Sequence, residues 1–162
     1  MFTKKKNIKK YQKLIYKPDA FYNSYWFTKF INKFMRSGKK QTVEKIVMKT
    51  CHELKFKTRK PLLQTFFSLL MKVRPLLGLV SKRFGKQFKK IPVPLYPRRQ
   101  TILALKWLVT SIKVNRLNAL GKQMMSEILD FTENRKTALS KRYADHLQEI
   151  NENRLNHRFR WK

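Results

Sequence analysis

The segment VRPLLGLVSKRFGKQFKKIPVPLYPRR, Val73 to Arg99, contains two apolar, β-prone runs, Leu76 to Val80 and Ile91 to Tyr96. Between them SKRFGKQFKK carries Gly85 near its middle, and two such runs joined by a polar, glycine-containing connection predict a hairpin. Pro92, Pro94 and Pro97 lack the N–H that a central strand must donate, so they suit an arm whose edges face solvent or a bound partner. Every charge in the segment is positive: Arg74, Lys82, Arg83, Lys86, Lys89, Lys90, Arg98 and Arg99 occur without a carboxylate among them. The counter-charge is expected from elsewhere, and a polyphosphate is the obvious donor.

Outward from the arm the periodicity turns helical on both sides. Upstream, Phe27, Phe30, Ile31 and Phe34 recur at helical spacing between Ser24, an N-cap candidate, and Gly38, a C-terminal stop, which predicts a first helix over about 24–36. Val43, Ile46, Val47, Thr50, Cys51 and Leu54 form the apolar stripe of a second. Leu62, Leu63, Phe66, Phe67, Leu70 and Val73 form that of a third, with Pro61 at its first turn and Pro75 ending it. Downstream, RRQTILALKWLVTSIKVNR is apolar on nearly every side apart from Lys106, as expected of a fourth helix in the middle of a bundle. A fifth follows at about 119–132, with Met124 and Met125 as core filler. A sixth is capped by Thr137 and predicted to run to about 157. On these last two helices Glu127, Asp130 and Glu133, and then Asp145, Glu149 and Glu152, form acidic stripes that phosphate would repel. They are expected to face solvent or a basic protein neighbour.

The resulting fold class is mainly α: a six-helix bundle with a protruding β-hairpin arm, at about 76–96, between helices three and four. A basic N-terminal extension precedes it. The chain has 162 residues and 19.7 kDa, with 42% hydrophobic residues, which fits a single domain over 18–162 with a genuine core. Residues 1–17 carry seven lysines and no acid, a composition that reads as a flexible arm ordering on its partner; a merely solubilising tail is the bland alternative. The formal charge is +30, and no acid occurs between Glu53 and Glu127. One side of the molecule is therefore expected to meet a polyanion.

Composition also narrows the class. Cys51 stands alone, so neither a disulfide framework nor a cysteine zinc site is available within the chain, and a buried thiol is expected. The longest apolar run is broken by Lys72, Arg74 and Pro75, short of the ~20 residues a membrane helix needs. The first residues lack the apolar core of a secretory signal. His52, His146 and His157 are scattered and no Gly-rich phosphate loop is present, so neither catalysis, a metal nor a cofactor is expected. An abundance of Lys, Asn, Ile and Phe with little Gly or Ala is the bias of an A+T-rich coding sequence, common in organelles and in some bacteria.

Several segments, read in order, resemble the ribosomal protein family known as number seven of the small subunit. They are PDAFYNSYWFTKFINKFMRSGKKQTVEKIV, the VRP before the arm, IPVPLYPRRQTILALKWLV after it, and the closing NR with RFRW, spanning Pro18 to Trp161. The resemblance implies six helices with a hairpin arm, binding to the three-prime (head) domain of small-subunit rRNA, and help in assembling the head. It also implies an arm beside the messenger exit site, with mRNA and exit-site tRNA nearby, and small-subunit protein eleven as a neighbour. No homo-oligomer and no membrane contact is expected. The residue bias places the ribosome in the mitochondrion ahead of a bacterial cytoplasm or a plastid. At the arm tip RFGKQFKK has one glycine where bacterial members usually show a pair.

The candidate RNA-binding residues are Lys4, Lys5, Lys6, Lys9, Lys10 and Lys13 of the N-terminal arm, tracking phosphates. Arg36, Lys39 and Lys40 stand at a helix junction, where exposed N–H groups add to a phosphate site and a solvated turn is the plain alternative. Lys82, Arg83, Lys86, Lys89 and Lys90 belong to the hairpin; Arg74, Arg98, Arg99, Lys106 and Arg142 to its base and the adjoining helices. The arginines supply planar, bidentate geometry and the lysines reach. Phe84 and Phe88 either stack on unpaired bases or pack across the hairpin. Phe159 and Trp161 are expected to pack on the bundle. Because charge alone does not separate RNA from DNA, a DNA-binding nucleoid-type protein is the alternative, and a basic peripheral membrane or partner-binding module a third reading.

Overall fold

The computed structural model describes residues 21–114 and 119–161. Candidate residues Lys4 to Lys13 lie outside them. In chain order come α1 (Tyr25–Phe34), α2 (Lys40–Thr58), α3 (Leu62–Val73), β1 (Leu77–Phe84), β2 (Gln87–Pro94), α4 (Pro97–Val114), α5 (Leu120–Thr132), α6 (Ala138–Glu152) and a C-terminal 3-10 helix (Arg154–Trp161). The chain is thus mainly α with a hairpin between α3 and α4, as expected, but a seventh helical segment replaces the end of the anticipated sixth helix.

That difference has a local cause. Asn153 ends α6 at φ −95° and ψ 10°, and its side-chain amide donates to the Glu149 carbonyl at 2.8 Å. Asn156 then donates to Asn153 Oδ1 at 3.2 Å. Asparagine side chains that bond nearby backbone compete with the helical ladder. The first helix is also shorter than expected: it stops at Phe34, and Ser37 (φ 49°) and Gly38 (φ 73°) turn the chain into α2. At the start of α6 the expectation holds, because Thr137 accepts from the Ser140 N–H and Ser140 answers the Thr137 N–H in a reciprocal cap.

The core is continuous. Phe27, Phe30, Ile31 and Phe34 of α1 meet Val47, Cys51 and Leu54 of α2, Phe66, Leu69 and Leu70 of α3, and Leu105, Leu108 and Ile112 of α4. Phe66 packs edge-on to Phe27 and Phe30, with ring centroids 5.7 and 5.2 Å apart. Each such side chain contributes about 1.5–3 kcal/mol on burial. Helix α4 packs against α1, α3, α5 and α6, the central position anticipated from its apolar circumference. Met124, Met125 and Cys51 are buried. Helices α2 and α5 approach closely at Gly121, where an added Cβ would stand 2.8 Å from Thr50 Oγ1.

The hairpin lies within the expected 76–96, but its strands run further toward the tip than the two apolar runs and its turn is correspondingly tight. Pairing runs from Leu77↔Pro94 to Phe84↔Gln87, leaving Gly85 and Lys86 as a two-residue turn. Gly85 has φ +58°, and glycine at the first of two turn positions is what a type II′ hairpin requires. A single glycine therefore suffices at the tip. Pro92 and Pro94 are tolerated because a two-stranded sheet has only edge strands.

Candidate nucleic-acid interface

The basic candidates fall into three groups. The first is the arm, where strand pairing decides which side chains share a face. Lys82 lies opposite Lys89, a like-charge pair that alone is destabilising. Each ammonium sits over an aromatic ring, Lys82 Nζ 5.7 Å from the Phe84 centroid and Lys89 Nζ 4.6 Å from that of Phe159. Phe84 stacks on Phe159 at 5.1 Å. Phe159 thus packs on the arm and not on the bundle, and Phe84 serves structure. Arg83 lies opposite Phe88, so these two point together to the other face. Phe88 is 74% exposed, and Arg83 Nε donates to the Gly85 carbonyl at 2.9 Å, which holds the guanidinium at the tip beside exposed Lys86.

The arm does not find all its counter-charge outside the chain. Lys90 pairs with Glu149 of α6, Asn156 Nδ2 donates to the Lys90 carbonyl at 3.0 Å, and His146 Nε2 stands 3.0 Å from the Leu77 carbonyl oxygen. Its base is therefore braced by α6 and the C-terminal helix. The acidic stripes also need correction. Glu149 turns toward the arm. Glu127, with 4% exposure, is buried and accepts from the Leu139 N–H at 2.9 Å, where its charge complements the N-terminus of α6. Asp130 and Glu133 pair with Arg135 at 3.3 and 2.7 Å.

The second group surrounds the hairpin base. Arg99 and Lys106 line a groove of about 390 Å³ with Val80, Trp107, His146 and Glu149. Arg142 lies beside it with Asp145, His146 and Glu149, so of the candidates it is set among carboxylates. Arg74, half-buried, is 3.8 Å from Met71 Sδ. Arg98 Nη2 donates to Tyr25 Oη at 3.4 Å.

The third group is at the α1–α2 junction. Arg36 and Lys39 line a groove of about 720 Å³ together with Lys113 of α4, and Lys40 is the exposed first residue of α2. Lys113 is absent from the sequence-derived set. Its Nζ donates to the Lys33 carbonyl at 3.1 Å and lies 5.5 Å from the Phe34 centroid. Partial burial, then Arg36 and Lys33, hold its pKa below the ordinary 10.5.

Arg98 touches the first turn of α1 and Lys113 the last, so α1 and α4 run side by side with cations at both ends of the seam, about 22 Å apart by helical rise along α4. Lys29, over the Tyr25 ring at 5.5 Å, and Lys33 lie along it. Tyr25, Lys29 and Lys33 stand at i, i+4 and i+8, one helical face. That signal was in the sequence, overshadowed by the phenylalanine stripe interleaved with it.

Residues 4–148 match the family described as Ribosomal protein S7p/S5e. The chain belongs to that family. Small ribosomal subunit protein uS7 of Vibrio campbellii is 35% identical over 129 residues, 80% of this chain and 83% of its own length. That of Streptococcus pneumoniae is 33% identical over 144 residues, 89% and 92%, and that of Buchnera aphidicola subsp. Cinara cedri 33% over 129, 80% and 83%. The matched span takes in α1 to α5, the arm and most of α6, and with them every basic candidate, while Glu149, Asn156 and Phe159 follow it. Among the described residues no set of three or more His, Cys, Asp or Glu side chains could hold a metal ion, and no helix is long and apolar enough to cross a membrane.

Proposed function

We propose that this member of the S7p/S5e family is a structural, RNA-binding constituent of the small ribosomal subunit that contacts the three-prime (head) domain of its rRNA and helps that domain fold. Family membership accords with a non-enzymatic role in translation. The observation that carries the RNA reading is the α1–α4 seam: Lys29 and Lys33 of α1, from a stretch with no carboxylate between Asp19 and Glu44, run beside Arg98 and Lys113 of α4, from one with none between Glu53 and Glu127. Phosphates are what such a seam neutralises. The arm, with Arg83, Lys86 and exposed Phe88 toward its tip, is the element proposed to stand near the messenger exit site, with mRNA, exit-site tRNA and small-subunit protein eleven as neighbours. The residue bias supports a mitochondrial ribosome ahead of a bacterial or plastid one.

A competition assay tests the reading. Unlabelled head-domain transcript is expected to displace a labelled copy from the full chain far better than duplex DNA of equal length; equal displacement would favour a nucleoid-type protein instead.

A further inference from the structure

The groove at the α1–α2 junction, unlike the arm and the hairpin base, has no carboxylate set against its charge. Arg36, Lys39 and Lys113 line it, with Phe34 and Val43 as an apolar wall and Thr42 as a hydroxyl; no carboxylate does, and Glu44, the nearest in sequence, is not among the lining residues. The arm contrasts with it, because there Lys90 is neutralised by Glu149. Helix α2 begins at the groove with no side-chain cap and no acid in its first turn, so its N-terminal dipole adds positive potential at the same place. Lys113 is drawn in from α4 and held by the Lys33 carbonyl at 3.1 Å, which fixes its ammonium against the wall.

We infer that this groove is a seat for a single RNA phosphate, gripped by Arg36, Lys39 and Lys113, and thus a specific positioning contact separate from the diffuse attraction of the arm. The inference rests on the RNA-binding reading above. Arg36 brings a planar fork suited to two phosphate oxygens, while Lys39 and Lys113 act as point charges from the two sides. Partial desolvation matters here because a charge shielded from water interacts more strongly with an anion and is screened less by salt. Burial first, and the cations Arg36 and Lys33 second, hold the pKa of Lys113 below its ordinary value, and an arriving phosphate offsets that unfavourable surrounding.

Binding of the full chain to a head-domain transcript, measured from low to high KCl, tests the assignment. Lys113→Met, with its circular dichroism unchanged, is expected to weaken binding about tenfold and to make the log–log salt slope shallower by about 0.7 to 0.9, the share of one phosphate. Lys113→Arg restores the slope. Lys57→Met, on the α2 face that meets α5, leaves it as in the wild type. Phosphate-ethylation interference gives an independent reading, in which one protected position of the wild-type complex is lost with Lys113→Met. Should that variant fold poorly, Arg36→Gln, at an exposed residue, reads the same contact. An unchanged slope and interference pattern in a variant that folds, while the wild type binds, overturns the phosphate seat and leaves the RNA reading standing. A wild type that does not bind the transcript overturns both.

Discussion

Glu127 shows how much one side chain can do that spacing alone conceals. Its position three residues before Asp130 fits a solvated acidic face, yet it is buried and holds the Leu139 N–H at the start of α6. A buried donor that loses its acceptor costs about 1–3 kcal/mol. Glu127→Ala is therefore expected to lower the urea midpoint by a corresponding amount without changing the slope of the transition, and to leave RNA binding by the folded fraction intact. A midpoint equal to that of the wild type would mean that solvent replaces the carboxylate at no cost. Lys113 teaches the same lesson with opposite charge: its sequence position marks it only as the last-turn lysine of α4. Its closeness to Arg36 and Lys33 is a product of how α1 lies on α4.

At the scale of elements, apolar stripes and the punctuation by Pro and Gly made α1 to α6 and the hairpin legible, because those signals are local. Thr137 reads as a cap and is one; Pro75 and Pro97 bracket the arm. What was not legible was pairing between elements distant in the chain. Nothing in SKRFGKQFKK announces that Phe84 will rest on Phe159, or that Lys90 will meet Glu149, and the asparagines that end α6 became informative only once their bonds were seen. The bracing makes its own prediction. A chain ending at Asn153 loses the Phe84–Phe159 stack and the Asn156 bond to Lys90. Amide hydrogen exchange is then expected to accelerate across 80–91 while the amides of α4 keep their protection. Equal protection of the arm in both forms would show that the His146 and Glu149 contacts suffice.

For the whole molecule the dominant quantity is the charge of +30. Thirty-nine Lys and Arg face nine Asp and Glu in the chain, so self-repulsion opposes the compact state. Salt shortens the range of that repulsion from about 30 Å at 0.01 M to about 8 Å at 0.15 M. The free protein is therefore expected to melt several degrees higher in 0.15 M KCl than in 0.01 M, measured by circular dichroism, and the gain should shrink once RNA is bound. A melting temperature that does not move with salt would mean that the cations are too dispersed to repel one another appreciably. The candidate interface was legible at this scale as a want of anions over a long stretch of chain. Its division into arm, hairpin base and α1–α2 junction came from the fold.

The brace on the arm also has a consequence for the order in which the protein becomes finished. Both hairpin strands leave a translating ribosome well before Glu149, Asn156 and Phe159 do, so a nascent chain carries the finger without its brace, and a lone two-stranded sheet is only marginally stable. The finger's seating against α6 and the 3-10 helix therefore waits for residues synthesised far later.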